Sequence, residues 1–443
     1  MVSNTASPRP ASSVHDRLAK HILADGMPYV LDLTKSHGPY LYDAGGERKI
    51  LDLFMCFSTC PLGYNHPGLH DPEFERSIHP AALNKPSNSD FYTIEMADFV
   101  DSFARTVPSS LASRMFFIEG GALAVENALK TAFDWKVRKN LQSGKGEKGH
   151  QIIHLRHAFH GRSGYTLSLT NTDPVKTDYF PKFEWPRILN PKLSFPITPQ
   201  VIERVEREES ESIRMIKDAL TRFPDDIAGL IIEPIQGEGG DNHFRPEYLQ
   251  ALRDLADEAD FLLIFDEVQT GFGTTGSWWC FEEFGVTPDI FAFGKKTQVC
   301  GICASERVDE VDSVFKVSSR INSTWGGNLV DMIRCRRYVE IIEEDNLLEN
   351  AKDVGDHLLR GLQRLSAERP DLVSNPRGRG LFLAFDVPNG ETREQLIATM
   401  VESGVMGLRS GGRSIRFRPS LSLTREHADE GLELLSKALS RHS

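Results

Sequence analysis

Three residues in this chain could do covalent or proton chemistry if the fold buried them. Asp266 closes the apolar run FLLIF (261–265), and Lys295 and Lys296 stand side by side after IFAF (290–293). A carboxylate at the end of a buried run needs a positive partner. A lysine removed from water gives up its ammonium proton more readily and becomes a nucleophile able to form a Schiff base. The plain structural alternatives are a surface salt bridge or helix cap for Asp266 and solvated charge for the lysines. If the strand continues through the lysine pair, alternation sends the two side chains to opposite sides and only one can be reactive.

Those residues need elements to hold them. Between about 110 and 300, short apolar runs alternate with helical patterns: MFFI (115–118), IIHL (152–155), AGLII (228–232), FLLIF (261–265) and IFAF (290–293). Such runs, apolar on both faces, are what a helix-covered parallel sheet contains. Each is followed by polar or reactive groups: Glu119-Gly120-Gly121, HAFHGR (157–162), EPIQGE (233–238), DEVQ (266–269) and Lys295-Lys296. In open α/β sheets ligands bind beyond the carboxyl ends of the strands, so the five runs predict one site built from several loops. An acid facing a cationic heterocycle together with a Schiff-base lysine is the pairing that pyridoxal phosphate requires.

Gly120-Gly121 opens a helix whose Val125, Ala128, Leu129, Ala132 and Phe133 share a face, with Glu126 and Lys130 expected to pair on the other. Strand, glycines and helix can cradle a phosphate; a tight turn is the simpler reading of the local pattern. GFGTTG (271–276) matches a dinucleotide-type glycine pattern, but five residues separate it from its strand, and it reads as a chance loop. Cys300 and Cys303 lack the second pair of a zinc site and read as small buried residues. His154, His157 and His160 do not share a helix face, which gives no reason to expect a metal.

From 329 the pattern changes. Helical stretches at 329–345 and 350–368 lead to the strand GLFLAFDV (380–387), a helix near 391–403, the strand SIRFRP (414–419) and a last helix at 424–440. Residues 203–217 read as a solvated helix and 1–12 as a loose tail. The length of 443 residues predicts two domains, with room for arms, and a composition 40% hydrophobic and 26% charged, with a net charge of −12, predicts a packed protein. Nucleic acid and anionic membranes are disfavoured as partners, and an anionic substrate would need local arginines. With six cysteines, no signal-peptide core and no bilayer-length apolar run, a reducing, cytoplasmic setting is expected.

The motifs GYNHP, EGGALAVENALK, AFHGR, EPIQGEGG, IFDEVQTGFG, PDIFAFGKK, NSTWGGN and IRFRP follow one another between 51 and 419. In that order they resemble the class III, fold-type I, pyridoxal-phosphate-dependent aminotransferases. Within the class, NKPSNSD (84–90), HGRSGYTLSLTNT (160–172), FGKKTQVCG and NSTWGGN are most similar to the L-lysine 6-aminotransferases. The resemblance implies an α/β fold with a large domain, its mostly parallel sheet covered by helices, and a smaller α+β C-terminal domain. It divides the chain into an N-terminal arm (1–65), a cofactor domain (66–328) and a small domain (329–443).

It also implies roles for particular residues. Gly121 and Ala122 hold the phosphate of pyridoxal 5'-phosphate, and Phe159 stacks on its ring. Asp266 pairs with the ring nitrogen, Gln269 meets the ring hydroxyl, and Lys295 is the Schiff-base lysine, with Lys296 a structural or solvated neighbour. Thr324 reaches the phosphate of a neighbouring subunit, so the sites are shared across a homodimer. Arg162 and Arg416 bind carboxylates, Glu238 pairs with Arg416, and Asn322 contacts substrate. Spacing alone does not choose between Arg416 and Arg418; the register of the resemblance favours Arg416. The implied ping-pong reaction moves the ε-amine of L-lysine to 2-oxoglutarate, giving 2-aminoadipate 6-semialdehyde and L-glutamate. Transfer from ornithine, GABA or a diamine, a racemase or aminomutase using the same cofactor, and an NAD-dependent dehydrogenase resting on GFGTTG are the alternatives.

Overall fold

A computed structural model describes residues 11–442. Most of the expected tail lies outside them, and Ala11–Ser13 forms a 3-10 turn. The apolar runs become strands Met115–Ile118, Gln151–Leu155, Ile227–Ile232, Leu262–Asp266 and Ile290–Phe293. They belong to a seven-stranded sheet in the order 115–118, 300–304, 290–293, 262–266, 227–232, 151–155, 187–188. The strand Cys300–Ala304 runs antiparallel to both of its neighbours, and the other pairings are parallel.

Period-two alternation splits each strand between two cores. Phe291 and Phe293 join Phe103, Phe117 and Trp279 on one face, whereas Ile290 and Ala292 face the helix Gly121–Gln142 through Val125, Ala128 and Leu129. Cys303 packs on the first side and Cys300 on the second, so the two thiols do not form a pair. Covered on both sides, the sheet presents only its ends to ligands.

The C-terminal part carries an antiparallel four-stranded sheet in the order 374–379, 382–386, 414–417, 408–410, packed with helices Leu347–Glu368, Gly390–Ser403 and Arg425–Leu439. An N-terminal hairpin, Tyr40–Asp43 with Arg48–Asp52, is extended by Val405–Met406. The GFGTTG segment lies buried against the C-terminal part, and its Thr274 carbonyl accepts from Leu381 N at 2.8 Å. Backbone packing therefore occupies it. The helix read at 203–217 extends over Pro199–Arg222 and buries Val205, Ser212 and Ile216. Among the described residues no helix is long and apolar enough to cross a membrane.

Candidate active site

Asp266, the last residue of its strand, is buried. Its Oδ2 lies 2.8 Å from Nδ1 of the buried His160, and its Oδ1 accepts from Val268 N at 3.1 Å. A carboxylate only accepts, so His160 donates through Nδ1. Next to this pair, Glu233 accepts from Phe159 N at 3.0 Å and Gly237 N at 2.9 Å. Burial pushes the Glu233 carboxyl up to about 7, with His160 pulling it down and Asp266 adding to the rise. Glu233 thereby fixes two loops at once. His160 entered the sequence reading only as a poor metal ligand; nothing local marks it as the partner of a residue 106 positions away.

The lysine pair is not on a strand. Lys295–Thr297 is a short 3-10 turn, and Lys295 takes a left-handed backbone with φ of 54°. Strand alternation therefore does not apply to the pair, yet the two side chains do diverge. Lys296 is 1% exposed and donates to the Gln269 carbonyl at 2.6 Å, so it is a structural and not a solvated lysine. The amine of Lys295, partly buried, has no hydrogen-bond or ion-pair partner among the described residues. Burial pushes its pKa below the usual lysine range, against the pull of Asp266 and with Arg416 adding to the drop.

The arginine ambiguity resolves by partner. Arg418 is buried against Asp241 at 2.8 Å, donates to the Phe417 carbonyl at 2.8 Å and lies 3.2 Å over the Phe382 ring. It is locked into the fold. Arg416, 1% exposed, meets Glu238 Oε2 at 2.9 Å and Gln269 Oε1 at 3.0 Å, and its buried Nε has no partner. The Gln269 oxygen also accepts from Arg418 at 3.1 Å, which leaves only its amide nitrogen for a ligand. The other oxygen of Glu238 holds Lys176. Burial raises the Glu238 carboxyl, but Arg416 and Lys176 together outweigh it and hold the group below its usual range.

Phe57 lies over Arg416 at 5.7 Å. It belongs to four consecutive residues, Met55 to Ser58, with positive φ, a conformation costly for L-residues. Asp52 supports this turn by accepting from Phe54 N and Met55 N, both at 2.8 Å. No sequence pattern in that stretch announces the turn.

At the sheet's other loops, Gly120 (φ 99°) precedes the 22-residue helix Gly121–Gln142. A Cβ on Gly120 would meet open space, whereas one on Gly121 would stand 2.9 Å from Val268 Cγ1. The first helical bond is Ala124 N to Gly120 O at 3.0 Å, so the N–H groups of Gly121, Ala122 and Leu123 have no acceptor among the described residues. The expected Glu126–Lys130 pair does not form. Glu126 is buried and accepts from Ser163 Oγ and Tyr165 N, each at 2.7 Å, because unpaired amides outcompete an exposed lysine. Arg162 is exposed with no partner among the described residues. Asn322 and Thr324 are exposed as well. Asn322 Oδ1 accepts from Ser323 N at 2.8 Å, and only the carbonyl of Thr324 is engaged, by Ser87 and Ser89. Neither makes a bond to the Asp266–Arg416 cluster.

The family profile described as Aminotransferase class-III matches residues 23–439. This chain belongs to the class III aminotransferases. It is 50% identical over 441 residues to the L-lysine-epsilon aminotransferase of Mycobacterium tuberculosis, covering 99% of this chain and 98% of that one. It is 48% identical to the enzyme of the same name from Amycolatopsis lactamdurans, covering 97% and 96%. A solved structure of lysine aminotransferase from M. tuberculosis, in the internal aldimine form, superposes with a TM-score of 0.96 at 50% identity, covering 98% of this chain and all of that one. Class III aminotransferases depend on pyridoxal 5'-phosphate, and the residues here fit it. The free amides beyond Gly120 suit a phosphate, Asp266 with His160 suits a ring nitrogen, and the unpartnered amine of Lys295 suits an aldehyde.

Proposed function

We propose that this class III aminotransferase transfers the ε-amino group of L-lysine to 2-oxoglutarate, releasing 2-aminoadipate 6-semialdehyde and L-glutamate. The observation that carries this reading is the Arg416–Glu238 pair in the site. An ω-amine substrate brings no carboxylate next to its reacting carbon, and a buried arginine left unpaired there would be costly. Glu238 neutralises Arg416 while the amine reacts, and it yields the guanidinium when the 2-oxo acid arrives with a carboxylate in that position. Near-50% identity along the whole chain to lysine-epsilon aminotransferases, against 31% to the mouse 4-aminobutyrate aminotransferase, favours lysine over GABA as donor.

The cofactor, when bound, supplies an aldehyde that condenses with amines and a ring that accepts electrons from the substrate carbon. The protein supplies the rest. The Lys295 amine would take the proton from that carbon as base and deliver it as acid to the carbon that was the cofactor's aldehyde. Asp266, oriented by His160, keeps the ring nitrogen protonated. Phe159 would support the ring face, and the Gln269 amide nitrogen would be the group left to meet the ring hydroxyl. Gly121 and Ala122 N–H groups hold the phosphate, joined by Thr324 from a second copy of the chain, which makes the working unit a homodimer. Arg162 receives the far carboxylate of either substrate bidentately, and Asn322 closes the site from the same outer loop as Thr324. The cysteines are free thiols, in keeping with a reducing, cytoplasmic setting.

Product analysis with L-lysine and 2-oxoglutarate tests the reading. Recovery of the semialdehyde, or its cyclised form, with glutamate is expected. Recovery of the 2-keto acid from α-amine transfer would overturn it.

A further inference from the structure

The exchange at Arg416 leaves one question: where Glu238 goes when Arg416 turns to a carboxylate substrate. Arg416 cannot move far. It sits on the strand Ser414–Phe417, is 1% exposed and is tied to Gln269. Glu238 is the less confined partner, on the loop between the two-residue strands Ile235–Gln236 and Asn242–His243, flanked by Gly237 and Gly239, with its side chain a quarter exposed. A carboxylate that leaves its only cation for a half-buried cavity would have to be rehydrated there. Here it has two cations, one on each oxygen.

The second is Lys176, at the end of the 3-10 turn Pro174–Lys176. This turn is pinned by Asp173, whose carboxylate accepts from Val175 N at 3.0 Å and whose carbonyl accepts from Lys176 N at 3.1 Å. The lysine amine also stands 5.4 Å from the centre of the Phe159 ring. Lys176, Glu238 and Ser410 line a cavity of about 350 Å³ that gives Glu238 room to swing without losing that amine.

We infer that Lys176 is a positioning residue that retains Glu238 after Arg416 is released, and so favours the 2-oxo acid half-reaction over the amine half-reaction. This rests on the exchange described under Proposed function. Once Arg416 no longer shares the carboxylate, Lys176 takes its full charge, and strengthening of that one charge-assisted bond corresponds to roughly a tenfold effect.

The test is single-turnover measurement of both half-reactions in the holoenzyme, on wild type, Lys176→Met, Lys176→Arg, Glu238→Ala and the double variant Lys176→Met/Glu238→Ala. Lys176→Met is expected to weaken apparent affinity for 2-oxoglutarate by about tenfold while the L-lysine half-reaction stays within about twofold. Lys176→Arg is expected to restore it, and the Lys176→Met effect should vanish in the Glu238→Ala background. Equal losses in both half-reactions, no loss in either, or a full effect persisting without Glu238 would each overturn the inference. If Glu238→Ala by itself splits the two half-reactions while Lys176→Met does not, only the role of Lys176 fails. If Glu238→Ala fails to split them, the exchange itself is wrong.

Discussion

The inner and outer halves of the site are built on opposite terms. Inside, each charge has a partner from the same chain: Asp266 has His160, Arg418 has Asp241, and Lys296 has the Gln269 carbonyl. Outside, Arg162 and the side chain of Thr324 have none among the described residues. Buried charges are paired by the fold itself, so the inner half is largely finished when the chain folds, with His160 Nε2 and Arg416 Nε left without a partner among the described residues. Exposed groups can wait, and under the proposed function the outer half awaits substrate and a second copy of the chain. Lys295 is the exception that marks the chemistry: an inner residue whose amine has an outer residue's lack of partners.

The adjacent lysines give the largest contrast. Lys295→Ala is expected to abolish the visible band of the bound cofactor and to lower turnover by at least about 10²–10⁴-fold, with little change in the melting temperature of the cofactor-free protein. Lys296→Ala should keep the band and lose about 1–3 kcal/mol of stability, because the half-buried Gln269 carbonyl loses its donor. The reverse pattern in absorbance and thermal melts would shift the assignment by one residue.

Thr324→Ala is the matching experiment on the outside. Its cofactor affinity should fall about tenfold or more, the worth of one bond to a charged phosphate, while the melting temperature without cofactor stays unchanged. An equal fall in the cofactor-free melt would mean that the outer loop is structural after all.

A smaller effect separates the halves by pH. His243, in the strand next to the Glu238 loop, is buried and its pKa is pushed down to about 3 by burial, with Arg377 adding to the drop. Its folded pKa lies below its unfolded one. The stability it contributes is therefore complete above about pH 6.5 and is lost as pH falls through the window from there towards 3. Replacing His243 by Gln should flatten the acid side of the stability curve by up to one proton, ~1.4 kcal/mol per pH unit. Urea melts from pH 7 to 4 would show an unchanged slope if His243 does not titrate this way.

What could be read from the sequence follows the same division. The parallel strands were legible because strands covered on both sides must be apolar throughout, and Asp266 stood out because a carboxylate ends such a run. The strand Cys300–Ala304 was not, since CGICA has little β-branched character, and Arg187–Ile188 is too short to show a period. Glu126 misled because an i,i+4 spacing carries no information about amides that arrive from residue 165. Arg416 and Arg418 look alike in SIRFRP and differ only in what the fold brings to them. Lys176, in the polar stretch NTDPVKTD, has no local signal, and its partner lies 62 residues away.

The proposed donor choice turns on Glu238 shielding Arg416 while the ω-amine reacts. The most direct measurement is the rate of each half-reaction of Glu238→Ala, taken separately with L-lysine and with 2-oxoglutarate. A clear loss with L-lysine and a smaller one, or none, with 2-oxoglutarate is expected; equal losses in the two would contradict the shielding of Arg416.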